Sequence, residues 1–337
     1  MTAPDPRANA DLLGHAPAER TLLDAARGGR LHHAWLIAGP AGIGKATLAY
    51  RFARRLLAGL PSEGESLWLD PGHPIFRRVA AGGHADLRTV TRTIDPRTGR
   101  LHREILVDDV RAGAEFLHRT AIEGGWRVVI VDPAELLNAS AANALLKMLE
   151  EPPAAALLLL VCAAAGRLPA TLRSRCRLLR LAPLADADME AILARHLPDI
   201  SAETRAWLAA LAEGSPGRAL HLAAEEGVAM AALVDEVLNG LPSFGAARAH
   251  GVVDRLGRAE SGFSTFMELL LAALAAAVRA GARGRADPDQ QRLLDLRPLD
   301  AWGEVWHALS RLADETERFS LDKRQAVVSG LALLDAS

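Results

Sequence analysis

Residues 126–153, WRVVIVDPAELLNASAANALLKMLEEPP, constrain the fold more than any other stretch. Arg127–Val131 is a short buried-strand pattern that closes on an acid, Asp132. A segment rich in alanine and leucine follows with helical periodicity and stops at Pro152 and Pro153. A buried strand that ends in a carboxylate and feeds a helix belongs to a parallel α/β sheet, where ligands sit beyond the carboxyl ends of the strands. An earlier segment has the same layout. The run at 33–38, HAWLIA, leads into GPAGIGKAT (39–47), which fits the phosphate-loop pattern G-x-x-x-x-G-K with Gly39, Gly44 and Lys45. Such a loop, with Gly42 inside it, turns backbone N–H groups toward phosphate oxygens, and the helix N-terminus and Lys45 add positive potential.

Several chemical groups expected at such a site are missing. The residue after the loop lysine usually offers a hydroxyl to Mg²⁺, but here it is Ala46. Thr47 comes one residue late, about 100° further round the helix. Asp132 is the expected Mg²⁺ partner, and the position after it, where an acid would polarise attacking water, is Pro133. Glu135 reads as a solvated loop residue.

Helices are expected at 17–29, 45–58 (ended by Gly59 and Pro61) and 107–120. Further strands are expected at 87–91, 157–162 and 178–181, and a turn at 95–99. Residues 1–10 are polar and expected to fray. From about 186 onward strand signals fade. Several short helices are expected over 186–228, broken near 214–217, with a boundary near 239–244. Helices resume over 245–337, interrupted by a polar loop at 280–290. Trp302, Val305, Trp306, Leu309 and Leu312 form one apolar face there; Val327, Val328, Leu331 and Leu334 form another. This order predicts an α/β domain over 1–184, a small helical domain over 185–240 and a larger helical domain over 241–337.

A net charge of −2 over 337 residues rules out a generally basic surface, so any DNA contact must be a local patch. Arg88, Arg92 and Arg97 are candidates, although a solvated loop explains them equally well. Cys162 and Cys176 form no metal-ligand spacing. The longest apolar stretch, 154–166, is too short to cross a bilayer, and the N-terminus carries no signal-like apolar core. A cytoplasmic protein is the expectation.

The chain resembles the clamp-loader branch of the AAA+ ATPases. ASAANALLKMLEEPP (139–153) is similar to that family's helix after the acid-ended strand, and LRSRCRLLRLAPL (172–184) carries its Ser-Arg-Cys motif as Ser174, Arg175 and Cys176. RLHHAWLIAGPAGIGKATLAYRFARRLL, GSPGRAL (214–220) and LDKRQAVVSGLALL (321–334) also fit. The likeness is strongest over 30–57 and 126–184.

The resemblance implies an α/β P-loop AAA+ domain, a parallel sheet with flanking helices. A small helical lid and an all-α collar domain would follow. It implies that ATP or ADP, with Mg²⁺, lies against Gly39, Gly42, Gly44, Lys45, Ala46, Thr47 and Asp132, with Arg218 as a second-sensor arginine; a helix-cap role is the alternative for Arg218. Arg175 would be an arginine finger acting on a neighbour's nucleotide, an effect worth about 10³–10⁵ in rate. The implied partners are gamma/tau-type motor subunits, a delta-type clamp-opening subunit, primer–template DNA and the sliding clamp.

Two departures qualify this. Sensor hydroxyls are absent from Val161, Cys162, Ala163 and Ala164, so together with Ala46 and Pro133 a weak or absent ATPase is expected. No cysteine lies in 59–105, so the zinc module of many relatives is not expected. A catalytically active motor-type ATPase with a non-standard site, using Lys45, Asp132 and Glu135, is the competing expectation.

Overall fold

The apolar runs become strands in one sheet: β1 (Ala34–Ala38), β2 (Leu87–Val90), β3 (Arg127–Val131), β4 (Ala156–Cys162) and β5 (Arg177–Arg180). Their order is β2-β3-β4-β1-β5, and every pairing is parallel. All residues of β1, β3 and β4 are buried, as continuous apolar runs covered on both faces must be. The edge strand β5 keeps only Leu179 buried. The computed structural model describes residues 4–29, 31–60, 64, 66–123, 125–223, 225–242, 244–257 and 262–335, so Pro61 lies outside the described residues.

The flanking helices are α1 (Ala16–Arg27), α2 (Lys45–Leu57), α3 (Pro74–Ala80), α4 (Val107–His118), α5 (Ala139–Glu150), the short α6 (Ala170–Arg173) and α7 (Asp186–His196). One core face joins Leu36, Val129, Leu158 and Leu160 to Val110, Leu117, Leu145 and Leu149 from α4 and α5. Burying each such side chain is worth roughly 1.5–3 kcal/mol. Helix α5 starts where Asn138 accepts the Ala141 N–H at 2.8 Å, an N-cap that fixes where the chain leaves β3. Helix α3 is absent from the sequence expectation. Pro74 stands at its first turn and His73 Nδ1 accepts the Ile75 N–H, so here proline initiates a helix. The turn at 95–99 is present: Gly99 N–H donates to Asp95 at 2.8 Å, and Ile94 pairs with Leu101 across the ribbon.

The N-terminal segment corrects a second expectation. Residues 1–3 lie outside the described residues, but residues 7–10, instead of fraying, are tied down by two arginines of α2. Arg54 donates to the carbonyls of Arg7 and Asn9, both at 2.6 Å, and Arg51 donates to Ala10. Burial, with Arg51 alongside, pushes the Arg54 guanidinium down to about 10.

The chain divides into two compact units, Ala3–Arg195 with Glu213–Arg218, and His196–Ala212 with Ala219–Ser337. The second holds α8 (Ala202–Ala212), most of α9 (Pro216–Leu222), α10 (Glu225–Gly240), α11 (Gly245–Leu256), α12 (Gly262–Ala282), α13 (Pro288–Leu294), α14 (Leu299–Phe319) and α15 (Lys323–Asp335). Among the described residues, α12 is a helix long and apolar enough to cross a membrane by length and composition. It is the central helix of this unit and packs against α8, α10, α13 and α14. Trp302, Leu309, Val327, Leu331 and Leu334 are buried inside the unit, so both expected apolar faces serve its own core. Trp306 is half-buried, its indole N–H donating to Leu271 at 2.9 Å. The polar loop at 280–290 is shorter than expected, because α12 runs to Ala282 and Asp287 caps α13.

Candidate nucleotide site and the distal arginine

Parallel pairing brings the ends of β1, β3 and β4 side by side, and so gathers Gly39, Asp132 and Ala163. Gly39 donates its N–H to Cys162 at 3.3 Å, and a Cβ there would run into the Leu181 carbonyl. The loop then packs on a segment far along the chain. Gly217 N–H donates to Gly42 at 2.9 Å, and the Ser215 hydroxyl donates to Ala41 at 2.8 Å. Gly42 has φ +76°, and a side chain would collide with Ser215 Oγ and the Arg218 amide. Gly44, in the left-handed region, opens α2. The Ile43 carbonyl accepts from buried His15 Nε2 at 2.7 Å.

Lys45 is buried, and its ammonium donates to the Pro40 carbonyl at 2.6 Å. Burial pushes it below the usual lysine range, opposed first by Glu135, then by Asp132. Burial lifts the Asp132 carboxyl to about 6, with Lys45 pulling down and Glu135 pushing further up. Cys162 is lifted to about 11 by burial and by Glu135, consistent with an unreactive thiol.

Glu135 is not the solvated residue expected. It lies in a 3₁₀ turn, Ala134–Leu136, where Oε1 accepts the Ala163 N–H at 2.9 Å. Its Oε2 is buried without a hydrogen-bond partner among the described residues. Thr47 is buried in α2, and Ala46 presents only a methyl group. Arg218 is half-buried in the first turn of α9, its amide donating to Ser215 Oγ at 3.2 Å.

The glycine loop, the α2 N-terminus and Lys45 fit the phosphates of a nucleotide. For Mg²⁺ the same cluster offers the Asp132 carboxylate but no hydroxyl at position 46. The structure thus brings Gly39, Gly42, Gly44, Lys45, Ala46, Thr47 and Asp132 together and sets the Arg218 backbone against Gly42.

Arg175 stands elsewhere. It precedes β5 by two residues, and Arg177 is level with Trp35 near the start of β1. The phosphate loop begins at Gly39, four residues beyond that level, or about 13 Å further along the strands at ~3.3 Å per residue. Arg175 Nη2 pairs with Glu150 at 2.8 Å and Nη1 donates to the Thr171 carbonyl at 3.0 Å, with the side chain 38% exposed. The sequence reading missed Glu150 as its partner, and it missed His15 and Ser215 as supports of the loop. Only the fold makes these neighbours, and no local pattern marks them.

A family model described as "DNA polymerase III, delta subunit" matches residues 14–185. A Pseudomonas aeruginosa DNA polymerase III subunit delta' is 41% identical over 199 residues, 58% of this chain and 57% of that protein. The Escherichia coli K12 subunit delta' is 40% identical over 208 residues, 61% and 59% of the two chains. The match therefore spans less than two thirds of these relatives' length. A DNA polymerase III subunit tau from the same E. coli strain is 31% identical over 223 residues, 64% of this chain and 32% of its own. Among solved structures, a gamma subunit-related protein of Thermotoga maritima aligns with 93% of this chain and 98% of its own, at TM-score 0.42 and 16% identity.

Proposed function

The chain belongs to the DNA polymerase III delta subunit family, and on that premise we propose that it is a delta-prime-like clamp-loader subunit. It acts as an AAA+ scaffold that hydrolyses ATP weakly or not at all and donates Arg175 to the nucleotide of a neighbouring motor subunit during sliding-clamp loading. One observation carries this reading. Arg175 lies near the opposite end of the strands from its own phosphate loop, too far for its side chain to span, so under this reading the phosphate it serves belongs to another chain. Its guanidinium is held by Glu150 and Thr171, and a planar fork of this kind suits γ-phosphate charge.

At the chain's own site the loop amides and Lys45 hold phosphates, Asp132 faces the divalent ion, and Arg218 approaches from the segment packed on Gly42. A nucleotide bound there supplies ligand-dependent rigidity rather than turnover. Positions 46, 133, 163 and 164 bear no hydroxyl or acid to hold the metal, activate water or sense the γ-phosphate. The partners under this reading are gamma/tau-type motor subunits, a delta-type clamp-opening subunit, the clamp and primer–template DNA. DNA contact through phosphates is salt-sensitive and sequence-independent. Residues 185–240 act as a lid and 241–337 as a collar element, with exposed Phe319 and Leu321 available to neighbours.

The second reading, a motor-type ATPase, is favoured by Glu135, which sits close enough to Lys45 to be its leading carboxylate. Against it, one oxygen of Glu135 is committed to the Ala163 amide. Steady-state hydrolysis by the isolated chain separates the two. The scaffold reading expects turnover far below 1 s⁻¹. A rate in the ordinary enzyme range of roughly 1 s⁻¹ or more would replace it with the motor reading.

A further inference from the structure

We propose that Glu135 is a built-in anion of the phosphate site that sets its selectivity, favouring nucleoside diphosphate over triphosphate. The inference rests on the reading that this loop accepts a nucleotide at all.

Three features of the cluster support it. First, the Glu135 carboxylate is fixed in place by the 2.9 Å bond from the Ala163 N–H at the end of β4, next to the loop strand β1. Second, its remaining oxygen is buried without a hydrogen-bond partner among the described residues, with Lys45 the nearby cation. Third, it is the leading carboxylate acting on Lys45, ahead of Asp132. Loop amides cradle the inner phosphates of a nucleotide, and the loop lysine reaches the outer ones. The terminal phosphate therefore lies on the Lys45 side of the site, where it meets two carboxylates, Asp132 and Glu135. A firmly held Mg²⁺ would screen that encounter, but Ala46 removes the hydroxyl that normally helps hold it. A diphosphate places less charge against Glu135 and keeps the loop contacts. Buried like charges repel more strongly than exposed ones, because little solvent screens them.

Glu135→Gln is the fitting probe, since the amide oxygen can still accept the Ala163 N–H while the negative charge is removed. Calorimetric titration of the full chain with Mg-ADP and Mg-ATP would be compared for wild type, Glu135→Gln and Glu135→Ala, each checked for native melting. The expected result is tighter ADP than ATP binding in wild type. In the Gln variant ATP affinity should rise at least tenfold relative to ADP. The Ala variant, which also lacks the charge, should move the ratio the same way even if it melts earlier. Binding of both nucleotides with an unchanged ratio in both variants would overturn the selectivity role while leaving nucleotide binding intact. No binding of either nucleotide by any of the three proteins would overturn the inference together with the nucleotide reading of the loop.

Discussion

Replacing Arg175 by alanine should separate structure from catalysis by several kcal/mol. In the free chain the guanidinium makes an ion pair with Glu150 whose side chains are 38% and 51% exposed. Exposed pairs contribute about 0.2–1 kcal/mol. The bond to the Thr171 carbonyl, 3.0 Å long on the same open edge, adds about 1 kcal/mol at most. Arg175→Ala should therefore lower the melting temperature by a few degrees at most and leave ring assembly unchanged. The catalytic loss is of a different size. A trans-acting arginine is worth about 10³–10⁵ in rate, or roughly 4–7 kcal/mol of transition-state stabilisation. The assay is a single-turnover measurement of DNA- and clamp-stimulated hydrolysis in a reconstituted loader. Steady-state rates would dilute one silenced site among the other motors. Arg175→Lys should recover little, because a point charge does not reproduce the planar fork. A ring that assembles with Arg175→Ala and hydrolyses at the wild-type rate at every site would refute the reasoning. So would a loss of activity that merely tracks a large loss of stability.

Two further outcomes test the site itself. Gly42→Ala places a side chain at φ +76° against Ser215 Oγ and the Arg218 amide. The left-handed conformation costs about 1–2 kcal/mol, and disturbing the Gly217 and Ser215 bonds costs about 1 kcal/mol each. A loss of roughly 2–4 kcal/mol in urea denaturation is expected, and an unchanged midpoint would mean that the loop and 213–218 are not packed as described. Asp132 titrates at about 6 when folded, against 3.8 as the ordinary value. The folded state thus binds the extra proton between those values, and stability falls as pH rises through that window, by on the order of 3 kcal/mol. Asp132→Asn should accordingly raise the melting temperature at pH 7.5 and have little effect near pH 4. Equal increments at both pH values would show that the carboxylate carries no burial penalty.

How much of this could be read from the sequence depends on how local each feature is. Strands β1, β3 and β4 are legible because a parallel sheet covered on both faces tolerates only apolar residues, leaving uninterrupted runs such as ALLLLVC. Their site-forming ends follow directly, since a glycine loop and an acid mark where two of them stop. Helix α3 was hidden by Pro74, because the same residue breaks a helix inside and starts one at its first turn. Helix α12 falls within the helical region expected over 245–337; its C-terminal end at Ala282 runs past the start of the expected polar loop. The tethered N-terminus was illegible for another reason. Its polar residues satisfy no pattern of their own, and the arginines that bind their carbonyls, Arg51 and Arg54, lie in α2. Glu135 failed for the same reason: whether a carboxylate two residues past Pro133 is solvated or buried depends on the end of β4, which supplies the Ala163 amide.

If the proposed weak or absent ATPase holds, the loop's contacts explain how a phosphate-binding signature can outlast the chemistry that usually accompanies it. Gly39 is held by the Leu181 carbonyl behind it, and Gly42 by Ser215, Gly217 and the Arg218 amide. Ile43 is held by His15, and Gly44 lies against Leu12. A side chain at Gly39 or Gly42 would push apart the strand end or the 213–218 segment, whether or not a phosphate ever binds. Ala46, Pro133 and Ala163 occupy positions where hydrolysis needs a hydroxyl or an acid and packing does not. Substitution at those positions removes hydrolytic groups at little structural cost, whereas substitution of the loop glycines threatens the fold. The sheet therefore keeps its nucleotide-loop geometry as architecture. Under the proposed reading that geometry also holds the opposite end of the strands, and with it Arg175, in a fixed position for a docking neighbour. On this account Gly42→Ala should impair stimulated hydrolysis in the adjoining motor subunit only in proportion to the unfolding it causes, and Arg175→Ala should impair it with almost none.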